Sequence, residues 1–310
     1  MKWEGRRSSL TACALALAAV ACADGRAGAQ LPQAPQPSLS AVRSFVYQLQ
    51  RYTDDRLDAI AGAPQPLAII DLSRDGTARG AFTAAEIARL RGAGKLVLAY
   101  FEIGSIEEFR DEWGLVRRRH PDLVLNRWAE WPDEHFVRYW DPRWWDSVVR
   151  PRADQALRAG FDGVYLDTPL AYEEIDLAMA RGESRHSLGR RMVDLIIRIS
   201  AYARSRRPGF LIVPQNSPEL RHFSGYTQAI DGIGMEELFF RATDRPCDED
   251  WCAENLAEAV ALRRQGKPVL ATDYAERSDN LRAACALYRT NGFAGNVTVP
   301  ALDRISSPCD

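Results

Sequence analysis

From Ser44 onward, short runs of apolar residues alternate with longer stretches whose apolar residues recur every three to four positions. The short runs are FVYQLQ (45–50), LAIIDLS (67–73), KLVLAYFEIG (95–104), GVYLDT (163–168), FLIVPQN (210–216), AIDGIGMEE (229–237), KPVLATD (267–273) and FAGNVTV (293–299). Between them stand TAAEIARLRGAG, WDSVVRPRADQALRAG, GRRMVDLIIRISAYARSRR, AENLAEAVALRRQG and DNLRAACALYRTNG, several of which end on basic residues and glycine as helix C-termini do. Near-continuous apolar strands joined by helices predict a parallel sheet buried on both faces. Eight such units predict an α/β fold of the (β/α)8 TIM barrel kind, as a single domain over 44–310. A doubly wound sheet is the alternative, but no Gly-rich phosphate turn follows the first strand.

A barrel carries its active site at the C-terminal ends of its strands. In the fourth run, Gly163, Tyr165 and Asp167 share one face, and the apolar Val164 and Leu166 share the other. The sixth run repeats the form: an acid stands five residues after an Asp-Gly pair in both FDGVYLD and IDGIGME, and Gly232, Gly234 and Glu236 share a face. Asp167 and Glu236 therefore point into the barrel mouth, with the glycines below Glu236 expected to leave space for a ligand. The alternative for Asp167, capping the next helix, is not required, because Thr168 can serve as N-cap and Pro169 as the first helical residue. Asp162 and Asp231 read as turn residues at the strand entrances. Two carboxylates converging on one cleft are the minimum equipment for glycoside hydrolysis. Paired acids could also hold a metal or a Schiff-base lysine. Against these, the four histidines are scattered without ligand spacing, and Lys95 and Lys267 lie at strand entrances. No metal and no cofactor are expected.

The remaining strand ends supply groups suited to sugar hydroxyls: Gln48, Asp71, Tyr100, Glu102, Gln215, Asn216, Asp273 and Asn296, with Tyr165 beside the acid. Asp71 and Asp273 read equally well as partners of neighbouring groups or as caps. The longest excursion, Ser105 to Trp144, contains NRWAEWPDEHFVRYWDPRWWD. Trp128, Trp131 and Trp140 are candidates for stacking on sugar rings. Trp144 and Trp145 serve either that purpose or a hydrophobic lid, with Asp141 as N-cap and Pro142 as the first helical residue.

The N-terminal 1–23 stretch has Lys2, Arg6 and Arg7, then LTACALALAAVACA, then small residues, which is the pattern of a secretory signal peptide. AVAC, ending at Cys22, loosely resembles a lipoprotein cleavage box, while ACA and AGA suit ordinary cleavage. A lipid anchor at Cys22 and a soluble form both stay open, as do periplasmic, secreted and outer-membrane locations. Residues 24–43 have linker composition. Of the six cysteines, Cys247, Cys252, Cys285 and Cys309 lie outside the signal. An even set in an exported chain favours disulfides, and proximity favours Cys247 with Cys252 and Cys285 with Cys309. A net charge of −2 gives no electrostatic case for a nucleic-acid partner.

YQLQ, AYFEIG, the Trp-rich loop with RYWD, GFDGVYLDT, PQN and IDGIGMEELFF together resemble glycoside hydrolase family 114, the endo-α-1,4-polygalactosaminidases and their bacterial relatives. The resemblance runs from about Ser44 to Val299, strongest at the fourth and sixth strands. It implies a (β/α)8 barrel that cleaves α-1,4-linked galactosamine polymers, with Asp167 and Glu236 as its catalytic pair. It further implies a retaining mechanism, with Asp167 as nucleophile and Glu236 as acid/base. AYFEIG departs from the more usual AYISIGE, with Ser105 where the last glutamate would stand. Relatives have been labelled cysteinyl-tRNA-synthetase-like, but HIGH and KMSKS are both absent. The expected partner is a polysaccharide. A cationic galactosamine polymer would fit a mouth made negative by Asp71, Glu102, Asp167, Glu236 and Asp273.

Overall fold

Each of the eight apolar runs forms a strand in the computed structural model, which describes residues 38–52 and 57–309. The expected signal peptide, its Cys22 and the linker as far as residue 37 lie outside the described residues. The strands are β1 (Phe45–Tyr47), β2 (Leu67–Asp71), β3 (Leu96–Glu102), β4 (Gly163–Asp167), β5 (Leu211–Pro214), β6 (Ile233–Glu236), β7 (Val269–Tyr274) and β8 (Ala294–Thr298). Parallel ladders run β1 to β5 in sequential order and β6 to β8 likewise. Single parallel bridges join the two ladders at both sides, Gln215 with Gly234 and Ser44 with Gly295. The Asn216 N–H donates to the Gly234 carbonyl at 2.7 Å, and the Gly295 N–H to the Arg43 carbonyl at 2.9 Å. Eight strands in chain order make the TIM-type barrel that the pattern predicts.

The strands lack an apolar-polar alternation because both of their faces are buried. Phe45, Tyr47, Leu67, Ile69, Leu98, Tyr165, Val213 and Leu270 form the core inside the barrel. Their neighbours Val46, Ala68, Ile70, Val97, Val164, Ile212, Met235 and Val269 form the core beneath the helices. Leu39 and Val42 join the inner core, so the packed chain begins ahead of the expected boundary at Ser44. Being apolar in an otherwise polar stretch, these two residues leave the linker and cover the barrel interior.

Asp162 and Asp231 behave as the repeated segments predict. Each stands just before its strand and accepts the N–H of the second residue of a neighbouring strand, from Val97 at 3.0 Å and from Ile212 at 2.8 Å. Both carboxylates are also paired with arginines, Asp162 with Arg91 and Arg207 and Asp231 with Arg204.

The excursion after β3 builds a small antiparallel sheet in which Glu134–Val137 lies between Ser105–Glu107 and Val124–Arg127. Trp144 and Trp145 are buried against the helical layer, and the Trp144 indole N–H donates to the Ile103 carbonyl at 2.9 Å. Asp141 caps this segment by accepting from the Arg143 N–H at 2.9 Å, with Pro142 at the first helical position. The lid reading therefore holds for both tryptophans.

The four cysteines form the two expected disulfides. Cys247–Cys252 and Cys285–Cys309 have Cα separations of 5.8 and 5.1 Å. The second ties the C-terminal segment to the helix Ser278–Asn291.

Candidate active site

Asp167 and Glu236 close β4 and β6, and both are half-buried. Their carboxyl groups are gripped from both sides. The Tyr100 hydroxyl donates to Asp167 Oδ2 and the Thr168 N–H to Oδ1, at 2.6 Å for the latter. At Glu236, the Tyr274 hydroxyl donates to Oε1, while the side-chain amides of Gln215 and Asn216 donate to Oε2, Asn216 at 3.4 Å. Gln215 is oriented in turn by the Tyr47 hydroxyl, which donates to its Oε1 at 3.1 Å. The Asn216 side-chain oxygen Oδ1 accepts the Glu236 N–H at 2.9 Å, so this residue fixes both the backbone and the side chain of Glu236.

Three of the strand ends turn through left-handed backbone. Thr168, Asn216 and Glu237 have φ of 60°, 59° and 56°, each directly after a strand-end residue of the site. Positive φ is costly for any residue with a Cβ and most of all for a β-branched one, so these corners need holding from outside. Thr168 is therefore a left-handed corner and not the expected N-cap. Its hydroxyl accepts the Gly104 N–H at 2.9 Å and donates to the Asp167 carbonyl at 2.8 Å. Gly104 has to be glycine here, because a Cβ would collide with the Thr168 carbonyl.

Burial pushes Asp167 up to about 6, against the Tyr100 and Thr168 hydrogen bonds that hold it down. Burial also pushes Glu236 up to about 7; the Tyr274 hydrogen bond opposes the shift and the charge on Asp167 adds to it.

Several expected sugar contacts turn out to be internal supports. Asp71 and Glu102 are buried and bound to arginine. Arg110 reaches Asp71 through both nitrogens at 2.9 Å, Glu102 at 3.2 Å and Glu107 at 2.8 Å. Arg152 reaches Glu102 at 3.0 Å and Glu112 at 2.9 Å. Asp273 faces the helical layer, not the mouth. Its Oδ1 accepts the N–H groups of Phe239 and Phe240 at 2.6 and 2.7 Å, and its Oδ2 accepts the Tyr288 hydroxyl at 2.7 Å. The inward position at that strand end belongs to Tyr274, which shares parity with Leu270.

Gln48 donates to the carbonyls of Gln50 and Arg51 in its own loop, and Asn296 accepts the Ser306 hydroxyl. Tyr165 is fully buried, and its ring fills the space over Gly234, where a Cβ would collide with the phenol. Gly234 therefore admits Tyr165, and Gly232 lies against Leu39 and the Pro268 carbonyl, so neither glycine opens space for a ligand.

Of the tryptophans, Trp131 is 52% exposed on the excursion sheet, and Trp128 is half-buried there with its ring 5.2 Å from Phe136. Trp140 instead lies beside Arg191, Asp194 and Arg198 of the helix Arg185–Arg206, away from the strand ends.

The excursion also delivers a buried acid that strand-end reasoning could not find. Glu134 stands opposite Glu107 in the antiparallel pair, and its Oε1 is in hydrogen-bond contact with Ser105 Oγ. Burial, then the Asp167 charge, pushes it up to about 9, while burial and Glu102 push Glu107 up to about 8.

Comparison with known proteins agrees with this architecture. A protein of Deinococcus radiodurans is 33% identical over 276 residues, covering 88% of this chain and 86% of that one. The glycoside hydrolase domain of PelA from Pseudomonas aeruginosa superposes with a TM-score of 0.66 at 19% identity, covering 86% of this chain and 98% of that domain. Aspergillus fumigatus Ega3, solved in complex with galactosamine, gives the same TM-score at 17% identity, covering 88% of this chain and 96% of its own. The model of Glycoside-hydrolase family GH114 matches residues 26–310, and the chain belongs to that family of glycoside hydrolases.

Proposed function

We propose that this chain is an exported, retaining glycosidase of α-1,4-linked galactosamine polymers, with Asp167 as nucleophile and Glu236 as acid/base. The observation that carries the reading is the pair itself. Two carboxyl groups end β4 and β6, each held by its own hydrogen-bond donors, both pushed up by burial, and the Asp167 charge raises Glu236 further. The Asp167 charge disfavours ionisation of Glu236, so the proton the pair retains is assigned to Glu236.

In this state each residue is ready for its part. Asp167 is ionised, with Tyr100 and Thr168 donating to separate oxygens so that the carboxylate cannot rotate away from the anomeric carbon. As it forms the bond to that carbon, the Glu236 proton passes to the glycosidic oxygen and the leaving sugar departs. Glu236, now ionised, takes a proton from water, whose oxygen displaces Asp167 and restores both groups. The Tyr274 hydroxyl donates to the ionised Glu236 and can accept from the neutral one, which suits a group that alternates between the two.

The galactosamine assignment rests on family membership and on the galactosamine bound to Ega3. Amino groups on the polymer are cations. Carboxylates outnumber the arginines here: Arg110 and Arg152 are shared among Asp71, Glu102 and Glu112, and Asp167 adds a further negative charge at the mouth. Trp131 and Trp128 are the proposed stacking platforms, on the excursion that carries Glu134. Export is supported by the signal-like N-terminus and the two disulfides.

A reducing-end assay on a panel of polysaccharides tests the reading. Release of new ends from a partly deacetylated α-1,4-linked galactosamine polymer, and not from neutral α-glucans, is the expected result; release from the neutral polymers alone would overturn the sugar assignment.

A further inference from the structure

Asp167 is held by Thr168, and Thr168 is held by a chain of buried hydroxyl and carboxyl groups that the proposed reaction does not use. Thr168 Oγ1 lies 3.0 Å from Ser105 Oγ, which in turn contacts Glu134 Oε1. The three side chains are buried, so no bulk water makes up a missing bond. Protons can be counted along the chain. The oxygen-to-oxygen contacts run Glu134 to Ser105, Ser105 to Thr168, and Thr168 to the Asp167 carbonyl. An ionised Glu134 leaves only the Ser105 and Thr168 protons for three contacts, so one contact goes unfilled. A neutral Glu134 supplies the third: it donates to Ser105, Ser105 donates to Thr168, and Thr168 donates to the Asp167 carbonyl. The Gly104 N–H fills the remaining lone pair of Thr168.

We propose that Glu134 works in its neutral form as a positioning residue, donating the first proton of the chain that locks Thr168 in its left-handed corner and so fixes the Asp167 carboxylate. The proposal rests on the reading of Asp167 as the nucleophile. The surroundings favour the neutral form from every side. Asp167 at the end of β4 and Glu102 at the end of β3 place negative charge near Glu134, and the residue directly across the antiparallel pair is another acid, Glu107. The guanidinium of Arg110 is bound to Asp71, Glu102 and Glu107. Thr168 has a further reason to need the lock, since its β-branched side chain resists positive φ.

The test uses the full chain with Glu134→Gln and Glu134→Ala, read by carbon-13 titration of the Asp167 carboxyl and by kcat on α-1,4-linked galactosamine oligosaccharides. Glutamine keeps a donor toward Ser105, so Asp167 should titrate as in the wild type and kcat should stay within about threefold. Alanine breaks the chain. Thr168 then loosens its N–H bond to Asp167, the Asp167 titration moves up by about half a unit or more, and kcat falls by about tenfold or more with a smaller change in KM. An ionised Glu134 predicts the opposite sign, because removing its charge by either substitution would lower the Asp167 titration. That result, or an Asp167 titration and kcat unmoved by alanine, would overturn the proposal. If no variant, wild type included, cleaves the oligosaccharides while the titrations behave as stated, the galactosaminidase reading fails and the positioning role stands.

Discussion

The Tyr274 hydroxyl donates to Oε1 of Glu236, the carboxyl oxygen opposite the one held by Gln215 and Asn216. This bond stabilises the ionised carboxylate and is the largest influence opposing the burial that pushes Glu236 up to about 7. Tyr274→Phe removes it and should raise the Glu236 pKa further. The alkaline limb of the kcat/KM profile, which reports loss of the acid's proton, should move to higher pH by about half a unit to one unit. A limb that stays in place or moves down would mean that another group sets it.

Glu236 and Glu237 are adjacent, and a shift of one residue would exchange their roles. Glu237 lies past the strand with φ of 56° and accepts the Ala242 N–H at 2.9 Å, holding the loop after β6. Glu237→Ala should lower stability by about 1 kcal/mol and leave kcat within about threefold. Glu236→Gln should lower kcat by at least about a hundredfold. It should also gain stability relative to the wild type as pH rises. A carboxyl whose pKa is raised on folding contributes fully below its unfolded value, and the contribution is lost as pH climbs through the folded one, here about 7. Melting temperatures of both variants at several pH values, with turnover, check all three statements, and an inactive Glu237→Ala beside an active Glu236→Gln would contradict them.

All eight barrel strands were legible because their runs are buried on both faces, and Asp167 and Glu236 were legible because two-residue alternation was followed through β4 and β6. The same alternation carried along KPVLATDY places Leu270, Thr272 and Tyr274 inward and Asp273 outward. Selecting an acid by its strand-end position without that step put Asp273 on the wrong face. The glycines were read as room for a ligand, since a sequence shows the missing Cβ but not Tyr165 from β4 filling the gap. Arg110 and Glu134 were beyond reach for a different reason. They arrive through the pairing of Ser105–Glu107 with Glu134–Val137, two segments far apart in the excursion, and the charges they meet come from β2, β3 and β4.

The two disulfides differ in the loop they close. Cys285–Cys309 spans 24 residues and Cys247–Cys252 only 5. Thiol titration of the denatured, unreduced protein should find none of these four cysteines free. Replacing both Cys285 and Cys309 with serine should cost about 3 kcal/mol, and replacing the closer pair less. Two or more free thiols would contradict the pairing, and equal costs would contradict the loop-length argument.

The division of labour between Asp167 and Glu236 can be read directly from a trapped intermediate. In Glu236→Gln, a galactosaminyl fluoride needs no acid to expel its leaving group, so Asp167 should still form its bond to the anomeric carbon as fluoride departs. Without a base to activate water, the adduct should persist. Peptide mass mapping should then find one galactosaminyl unit on the peptide containing Asp167, and none in a variant that also carries Asp167→Asn. An adduct on another residue, or no adduct together with release of product of inverted configuration, would contradict the assignment of Asp167 as nucleophile.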